Sequence, residues 1–457
     1  MGLKNEDAES EAAAAESALA SYNFLTPVVL PEGAFGDNCS FTWTISNSAA
    51  METAVLNTDT FAGVKDVTSL QRILAGMDNG SSFASNSEVV TGPGEGLALK
   101  AVTTGTVNIT VTSSNGKKAS CTVKINAHVN GINVITDYKA IPEDGNTDNV
   151  AFNEAIKKAH ENSISGKGYT VVYVPGGTYD IEAFNTNEGS SELTTGIHML
   201  SGASLIMDSD AILKVKSNGM SDYGVICVRG EKLNYGNGEV VPDNVVISGG
   251  EIAGEGRRHS GSGGEGGHGI YLAGACNVTI SDMFIHDNWG DGIYIGTRAL
   301  FKASIGCRNI TVQNCDIAAN CRNGISIVDL GTDTDYKKGL KVENCIIRDS
   351  HGHAPQCGIY VEPNNKPKKD GYVQSEFIIC DTIYVKNTDI NAYQGKNDAE
   401  HTCFMTHRDP ENTSYITARD ITFDHCRIKG WFGNYSGQNL KLIETSISGN
   451  KILGSNR

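Results

Sequence analysis

The sequence predicts an all-β chain, a long β-solenoid preceded by a small β-sandwich. The main observation is an internal repeat, which outranks any single motif as a fold signal. "NVVISGGEI" from Asn244, "NVTISDMFI" from Asn277, "NITVQNCDI" from Asn309, "GLKVENCII" from Gly339, "TIYVKNTDI" from Thr382 and "DITFDHCRI" from Asp420 align, with starts 33, 32, 30, 43 and 38 residues apart. Each unit is apolar-x-apolar, a polar turn residue, a small or soft residue, one more residue, and Ile. A flat sheet gives no reason for such a step, whereas a chain winding into stacked coils does. The second observation is a later strand type in each coil: "HGIYLAG" at His268, "DGIYIGT" at Asp291, "NGISIVD" at Asn323 and "CGIYVEP" at Cys357. The third is a change of texture near residue 130.

Taken in order, residues 1–22 form an acidic, helix-prone leader without an apolar signal core. The opening Met-Gly fits a start placed ahead of a mature secreted chain. Residues 23–128 alternate in short runs. "SFTWTISNSAA" is a strand ending in a turn, and "GLALKAVTTGTVNITVTSSNGKKASCTVKIN" is three strands with a tight "SNGK" hairpin. Residues 129–457 begin with a strand, a turn and an amphipathic helix in "VITDYKAIPEDGNTDNVAFNEAIKKAHEN". Asp148 or Asn149 is placed to cap that helix, with Val150, Phe152, Ala155 and Ile156 on one face. "YTVVYVPGGTYDIE" is then strand, Pro-Gly-Gly turn and strand.

Strand alternation assigns columns. Val278, Ile280, Ile310, Val312, Leu340 and Val342 point inward, as do Ile270, Ile293, Ile325 and Ile359. Asp282, Asn314, Asn344, Asn387 and His425 fall in one turn column, an Asx-rich ladder. Met283, Cys315, Cys345, Thr388 and Cys426 fill the next inward column, so these cysteines read as core residues. Tyr271, Tyr294, Ser326 and Tyr360 share an outward column.

Bulk composition narrows the function. The chain has 457 residues and a formal charge of −16, which argues against nucleic acid as the main partner. No apolar run reaches the roughly 18–20 residues of a membrane span. The 52 glycines lack a collagen period and signal turns. Twelve scattered cysteines without a C-x-x-C pair suit neither a disulfide scaffold nor a zinc site.

Two resemblances sharpen the fold. "FTWTISNSAA" and "GTVNITVTSSNGKKASCTVKI" resemble bacterial immunoglobulin-like domains, which implies a spacer or anchor without catalytic residues. It leaves open whether Cys39 and Cys121, which flank Trp43, form a disulfide or stay free. The order helix, then "VYVPGGTY", resembles the entry of the pectate-lyase-like superfamily of right-handed parallel β-helices. That resemblance implies a right-handed parallel β-helix and leaves the reaction open, because the superfamily holds lyases, hydrolases, epimerases and phage tailspikes. "NTD" at Asn387–Asp389, "GHG" at Gly267–Gly269 and "RIK" at Arg427–Lys429 resemble polygalacturonase triplets. Their order differs and the adjacent aspartate pair is missing, so no residue is carried over from that family.

Candidate site residues cluster in the middle coils. In "IHDNWGDGIYIGT" (Ile285–Thr297), Ile285, Ile293 and Ile295 are wall, and Gly292 lets coils approach. Asp291 shares a column with His268 and Asn323, either a turn ladder or a catalytic row. His286, Asp287 and Trp289 escape the repeat and face Asn320–Arg322. The insertion "SHGHAPQ" presents His351 and His353, which have no equivalent in neighbouring coils. "GEGRRHSGSGGEGG" offers Arg257, Arg258 and His259 to an anionic sugar. The outward tyrosines are placed to stack on sugars or donate protons.

Alginate-type epimerases and lyases of this fold use Tyr, His, Asp and Arg outside the coils, the types found here, although their Asp-Pro-His signature is absent. The expectation is therefore a secreted, periplasmic or cell-surface bacterial protein, monomeric, acting on a uronic-acid-containing polysaccharide by β-elimination or epimerisation. His268, Asp287, Asp291, His351, His353 and Glu362 are the catalytic candidates. Arg257, Arg258, Tyr271, Trp289, Tyr294, Arg322, Asn323, Arg348 and Tyr360 are the substrate-binding ones, with Arg322 or Arg348 holding the carboxylate. A glycoside hydrolase with paired carboxyls, such as Asp287 or Asp291 with Asp349 or Glu362, and a non-catalytic glycan-binding protein stay open. No cofactor is expected, with calcium at Asp329, Asp333 and Asp335 as the alternative.

Overall fold

A computed structural model describes residues 131–186, 194–229, 242–264, 266–296, 298–300, 303–331, 339–363, 380–407 and 416–454 of the C-terminal part. In the N-terminal part it describes residues 22–25, 41–46, 51–56, 89–92, 96–101, 105–113 and 116–125. The chain divides into two compact units, residues 1–129 and 130–457. The first contains two antiparallel sheets, one of Tyr22–Leu25, Gly96–Ala101 and Met51–Leu56, the other of Val89–Gly92, Phe41–Ile45, Gly105–Ser113 and Lys118–Ile125. The "SNGK" hairpin closes with Gly116 at φ 83° and the Gly116 amide donating to the Ser113 carbonyl at 2.8 Å. The leader helix expected within 1–22 and the Cys39–Cys121 question lie outside the described residues and side chains.

The second unit is a right-handed parallel β-helix with three walls. Wall one stacks Val171–Val174, Ser204–Met207, Asp243–Ser248, Cys276–Ser281, Arg308–Gln313, Leu340–Glu343, Cys380–Lys386 and Ala418–Asp424. Wall two stacks Gly177–Ile181, Ala211–Val215, Glu251–Ala253, Phe284–His286, Asp316–Ala318, Ile346–Arg348, Asp389–Asn391 and Arg427–Lys429. Wall three runs from Asp222–Arg229 through Gly266–Ala273, Ile293–Gly296, Ile325–Ile327, Cys357–Val361 and Thr402–Thr406 to Trp431–Gly433. Like residues meet in register across coils. Ile252, Ile285, Ile317, Ile347, Ile390 and Ile428 form one column of wall two, all within the core. Ile226, Ile270, Ile293, Ile325 and Ile359 form the matching column of wall three, continued by Phe404 and Phe432. β-Branched side chains suit this stacking because they fill a pleated surface at strand spacing.

The corner between walls one and two is short and nearly invariant. Asp282, Asn314, Asn344 and Asn387 adopt φ of 57°, 54°, 55° and 48°, a left-handed conformation that Asx side chains tolerate. Each amide reaches back one coil: Asn314 donates to Asp282 at 3.0 Å, Asn344 to Asn314 at 3.3 Å and Asn387 to Asn344 at 3.2 Å. His425 shares the backbone conformation, but its ring turns to Asp424 and Glu444, so the ladder ends before it. Below the ladder, Met283, Cys315, Cys345, Thr388 and Cys426 are buried, and the cysteines are free thiols.

Helix Asn149–Ser165 covers the N-terminal end of the solenoid, with Phe152, Ala155 and Ile156 buried. Two expectations are corrected. Val150 is 57% exposed, because at about 100° per residue it falls on the side of the helix nearly opposite the buried stripe. Asp148 holds the N-cap position without a side-chain cap: its Oδ1 accepts from the Ile141 amide at 2.8 Å, and its Oδ2 is buried unbonded. Asn149 instead ties the helix to the first coil, donating to the Glu182 and Gly196 carbonyls.

Candidate functional site

The corner between walls two and three is long, variable and rich in imidazoles, aromatic rings and charges. It places side chains of successive coils beside the outer face of wall three. His268 and Asp291 meet there because their strands are in parallel register. His268 Nδ1 lies 3.2 Å from Asp291 Oδ2, an ion-pair distance without hydrogen-bond alignment, and both side chains are largely buried, at 8% and 0% exposure. Burying Nδ1 against the carboxylate leaves Nε2 as the nitrogen that can reach solvent. Tyr294 stacks on the imidazole at 4.6 Å and Tyr271 at 5.7 Å. Burial raises the Asp291 carboxyl's proton affinity, but the His268 contact and the Arg322 charge outweigh it and hold the group below its ordinary range. Burial pushes the Tyr294 and Tyr360 phenols up, assisted by Tyr271 and Asp291 at the first and by Glu362 at the second, so both are neutral donors at ordinary pH.

The rest of this centre comes from the next two coils. Arg322 forks onto Glu362, with Nη1 to Oε1 and Nη2 to Oε2 both at 2.6 Å. The same Nη1 is 3.4 Å from either Asp291 oxygen. These distances cap the separation of the nearest Asp291 and Glu362 oxygens at about 6 Å. Asn323 is buried and works as a ladder residue: its amide donates to Asp291 Oδ1 at 3.1 Å, and its Oδ1 accepts from the Cys357 amide at 2.9 Å. Ser326 was expected to face outward, but it is fully buried, because Arg322 covers it. Tyr360 is 9% exposed, with its hydroxyl 3.4 Å from His407 Nδ1.

A second group gathers around Trp289. The indole stacks on His259 at 4.0 Å and meets the His353 ring edge-on at 4.3 Å. It therefore faces the loop of the preceding coil and the inserted loop two coils on, not Asn320–Arg322 alone. Gly267 makes the approach possible, since a Cβ there would stand 2.5 Å from the Tyr223 ring and 2.7 Å from Trp289 Cβ. Beneath it, fully buried Glu255 accepts from Tyr223 Oη and contacts His259 Nδ1, both at 2.7 Å. Arg257 and His286 hold Asp287 from either side, at 2.8 Å each, and His286 Nε2 lies 2.9 Å from Glu251. Arg258 donates to the Val215 and Gly254 carbonyls.

The remaining candidates lie apart from these groups. Arg348 lies on the outer face of wall two, doubly bonded to Asp316 at 2.9 and 3.1 Å. His351 stacks on Tyr393 at 4.4 Å, with His401 on the same ring at 5.8 Å. Asp329 is buried, and Asp333 and Asp335 lie outside the described residues. Glu255, Tyr223, Tyr393, His401 and His407 join these groups without being among the candidates the sequence offers. The lengthened corners at "GEG" and "NAYQGKNDAEH" mark most of them, since each departs from the repeat.

The model of the right handed beta helix region matches residues 233–370. The uncharacterized protein YclG of Bacillus subtilis (strain 168) is 33% identical over 235 residues, 49% of this chain and 36% of its own length. The SPbeta prophage-derived uncharacterized protein YorA of the same organism is 29% identical over 250 residues, 52% of this chain and 39% of its own. The chain thus spans little more than a third of these curated relatives. Among solved structures, PfbA, a surface adhesin of Streptococcus pneumoniae, aligns at a TM-score of 0.41 with 13% identity, over 71% of this chain and 81% of that one. The repeat, the wall registers and the matched region agree on a right-handed parallel β-helix.

Proposed function

We propose that this protein acts on a uronic-acid-containing polysaccharide laid along wall three, by β-elimination or epimerisation, with His268 as the proton-transfer group. The observation that carries the reading is the His268–Asp291 pair. An ionised, fully buried carboxylate lies at ion-pair distance from an imidazole whose other nitrogen can reach solvent, beside two stacked phenols. Elimination needs one base and one acid. The base takes the C5 proton, the C–H electron pair becomes the C4–C5 double bond, the C4–O bond breaks, and the leaving oxygen is protonated. Epimerisation returns the proton to the other face of C5 instead. Tyr294 and Tyr360 are neutral hydroxyls suited to serve the substrate carboxylate or the leaving oxygen.

The geometry favours this reading over a hydrolase. Asp291 and Glu362 are close enough for a carboxyl pair, but Asp291 is sealed from solvent and both are bound by Arg322. Neither is free to attack a sugar or protonate a glycosidic oxygen. We place the protein outside the cell, where such polysaccharides occur, with the N-terminal two-sheet unit as an immunoglobulin-like spacer or anchor. Among the described residues no helix is long and apolar enough to cross a membrane.

The test is incubation with a panel of polyuronates while following absorbance at about 235 nm, where the unsaturated product absorbs, and C5 exchange with deuterated water. Either signal, lost in His268→Ala, supports the reading. New reducing ends without absorbance or exchange would replace it with hydrolysis.

A further inference from the structure

Along wall three the repeat departs from itself at two neighbouring places. Ser326 stands where adjacent coils carry Tyr294 and Tyr360. The corner just before it carries Arg322, whose guanidinium enters the room left by the missing ring. Nη1 comes within 3.4 Å of Ser326 Oγ and continues to Glu362. His268, Asp291, Arg322 and Glu362, one from each of four successive coils, therefore form a single line with steps of 3.2, 3.4 and 2.6 Å. Burying two carboxylates around one guanidinium is expensive in solvation, and wall three pairs in register in a preceding coil that lacks it.

The signs of the charges suggest a use for the arrangement. Two carboxylates near an imidazole, with no cation between, hold it protonated, and an imidazolium cannot accept a proton. Arg322 offsets one of the two charges, and its two parallel bonds to Glu362 fix where that offset sits. The groups facing His268 are Asp291 and Tyr294 from the following coil, Tyr271 from its own strand, and Gly224 from the preceding coil.

We propose that Arg322 and Glu362 are positioning residues that set the proton affinity of His268 through Asp291, and that neither holds the substrate. This rests on the reading of His268 as the proton-transfer group. Glu362 then leaves the set of catalytic residues, and Arg322 leaves the substrate-binding set.

The experiment is an NMR titration of the histidine ring carbons in the full-length protein, labelled at histidine, with the His268 signal assigned by its loss in His268→Gln. Removing the cation in Arg322→Gln raises the His268 pKa by about one pH unit. Glu362→Gln lowers it by a smaller amount. The double variant returns it close to the parent, because one charge of each sign is gone. Arg322→Lys keeps the charge without the fork and falls between parent and Arg322→Gln. An unchanged titration in all variants, or shifts of one sign in both single variants, overturns the proposal. Should Arg322→Gln fail to fold, Glu362→Gln and Arg322→Lys decide alone. The titration needs no substrate. Absence of turnover on every polyuronate overturns only the functional reading, whereas turnover with an unmoved titration overturns only this one.

Discussion

The corner joining walls one and two and the corner joining walls two and three are built from the same coils for different ends. The first takes two residues per coil, and in three successive coils an Asn amide reaches the coil before it. The second ranges from Asp287–Gly292 in one coil to Ala392–His401 in another and carries His268's partners, Trp289, His351 and His353. A corner that repeats is explained by stacking. A corner that changes length while its flanking strands stay in register is free to hold chemistry. The contrast predicts that substitutions at the first corner cost stability alone, and that substitutions at the second cost activity alone.

The largest expected effect is at the second corner. His268→Ala and Asp291→Asn should each lower turnover at least about 100-fold. The melting temperature of His268→Ala should stay within a few degrees of the parent, checked by calorimetry beside the absorbance assay. A large loss of stability in His268→Ala would erase the contrast. The walls come next: Ile317→Ala in the wall-two column should cost about 3 kcal/mol of unfolding free energy in a denaturant titration.

At the first corner, Asn314→Ala should cost about 1–2 kcal/mol without altering turnover, because alanine resists φ 54° and the ladder loses two bonds. Asn314→Gly keeps the backbone conformation and loses only the ladder, so it should fall between parent and alanine. Equal losses in the two variants would mean that the side-chain ladder, and not the left-handed backbone, accounts for the whole effect.

The narrowest effect, confined to one range of pH, lies at the helix that covers the N-terminal end. Burial raises the Asp148 carboxyl from 3.8 to about 6. The folded chain therefore binds this proton more tightly than the unfolded one. Its contribution to stability is fully present below pH 4, falls as pH rises through about 6, and is constant above. Asp148→Asn should raise the melting point above pH 6, by an amount equivalent to about 2 kcal/mol, and have little effect near pH 4. A gain of equal size at both pH values would contradict this account of Asp148.

The sequence displayed the walls and the first corner because stacking forces each coil to repeat its neighbour. Ile285, Ile317 and Ile347 are readable as one column without coordinates, and so are Asn314 and Asn344. The second corner was readable only where it still obeys that rule, as in His268, Asp291 and Asn323. Arg322 and Glu362 are 40 residues apart and meet through a long side chain crossing the gap at Ser326, which no spacing encodes. Glu255 and Tyr223 are 32 residues apart and meet at 2.7 Å, with the Tyr223 ring lying against Gly267. Arg348, an obvious candidate for a substrate carboxylate, is already bonded to Asp316 on another face.

"IHDNWGDGIYIGT" joins the two kinds of structure: its isoleucines are wall, Asp291 lies against His268, and Trp289 meets the inserted loop at His353. The most direct test of the claim that the second corner and wall three form the working face is a crystal structure of His268→Gln with a uronate oligosaccharide. The account predicts the sugar along wall three, over Tyr271, Tyr294 and Tyr360, with one C5 within hydrogen-bond reach of residue 268. An oligosaccharide bound on wall one or wall two, with wall three empty, would contradict it.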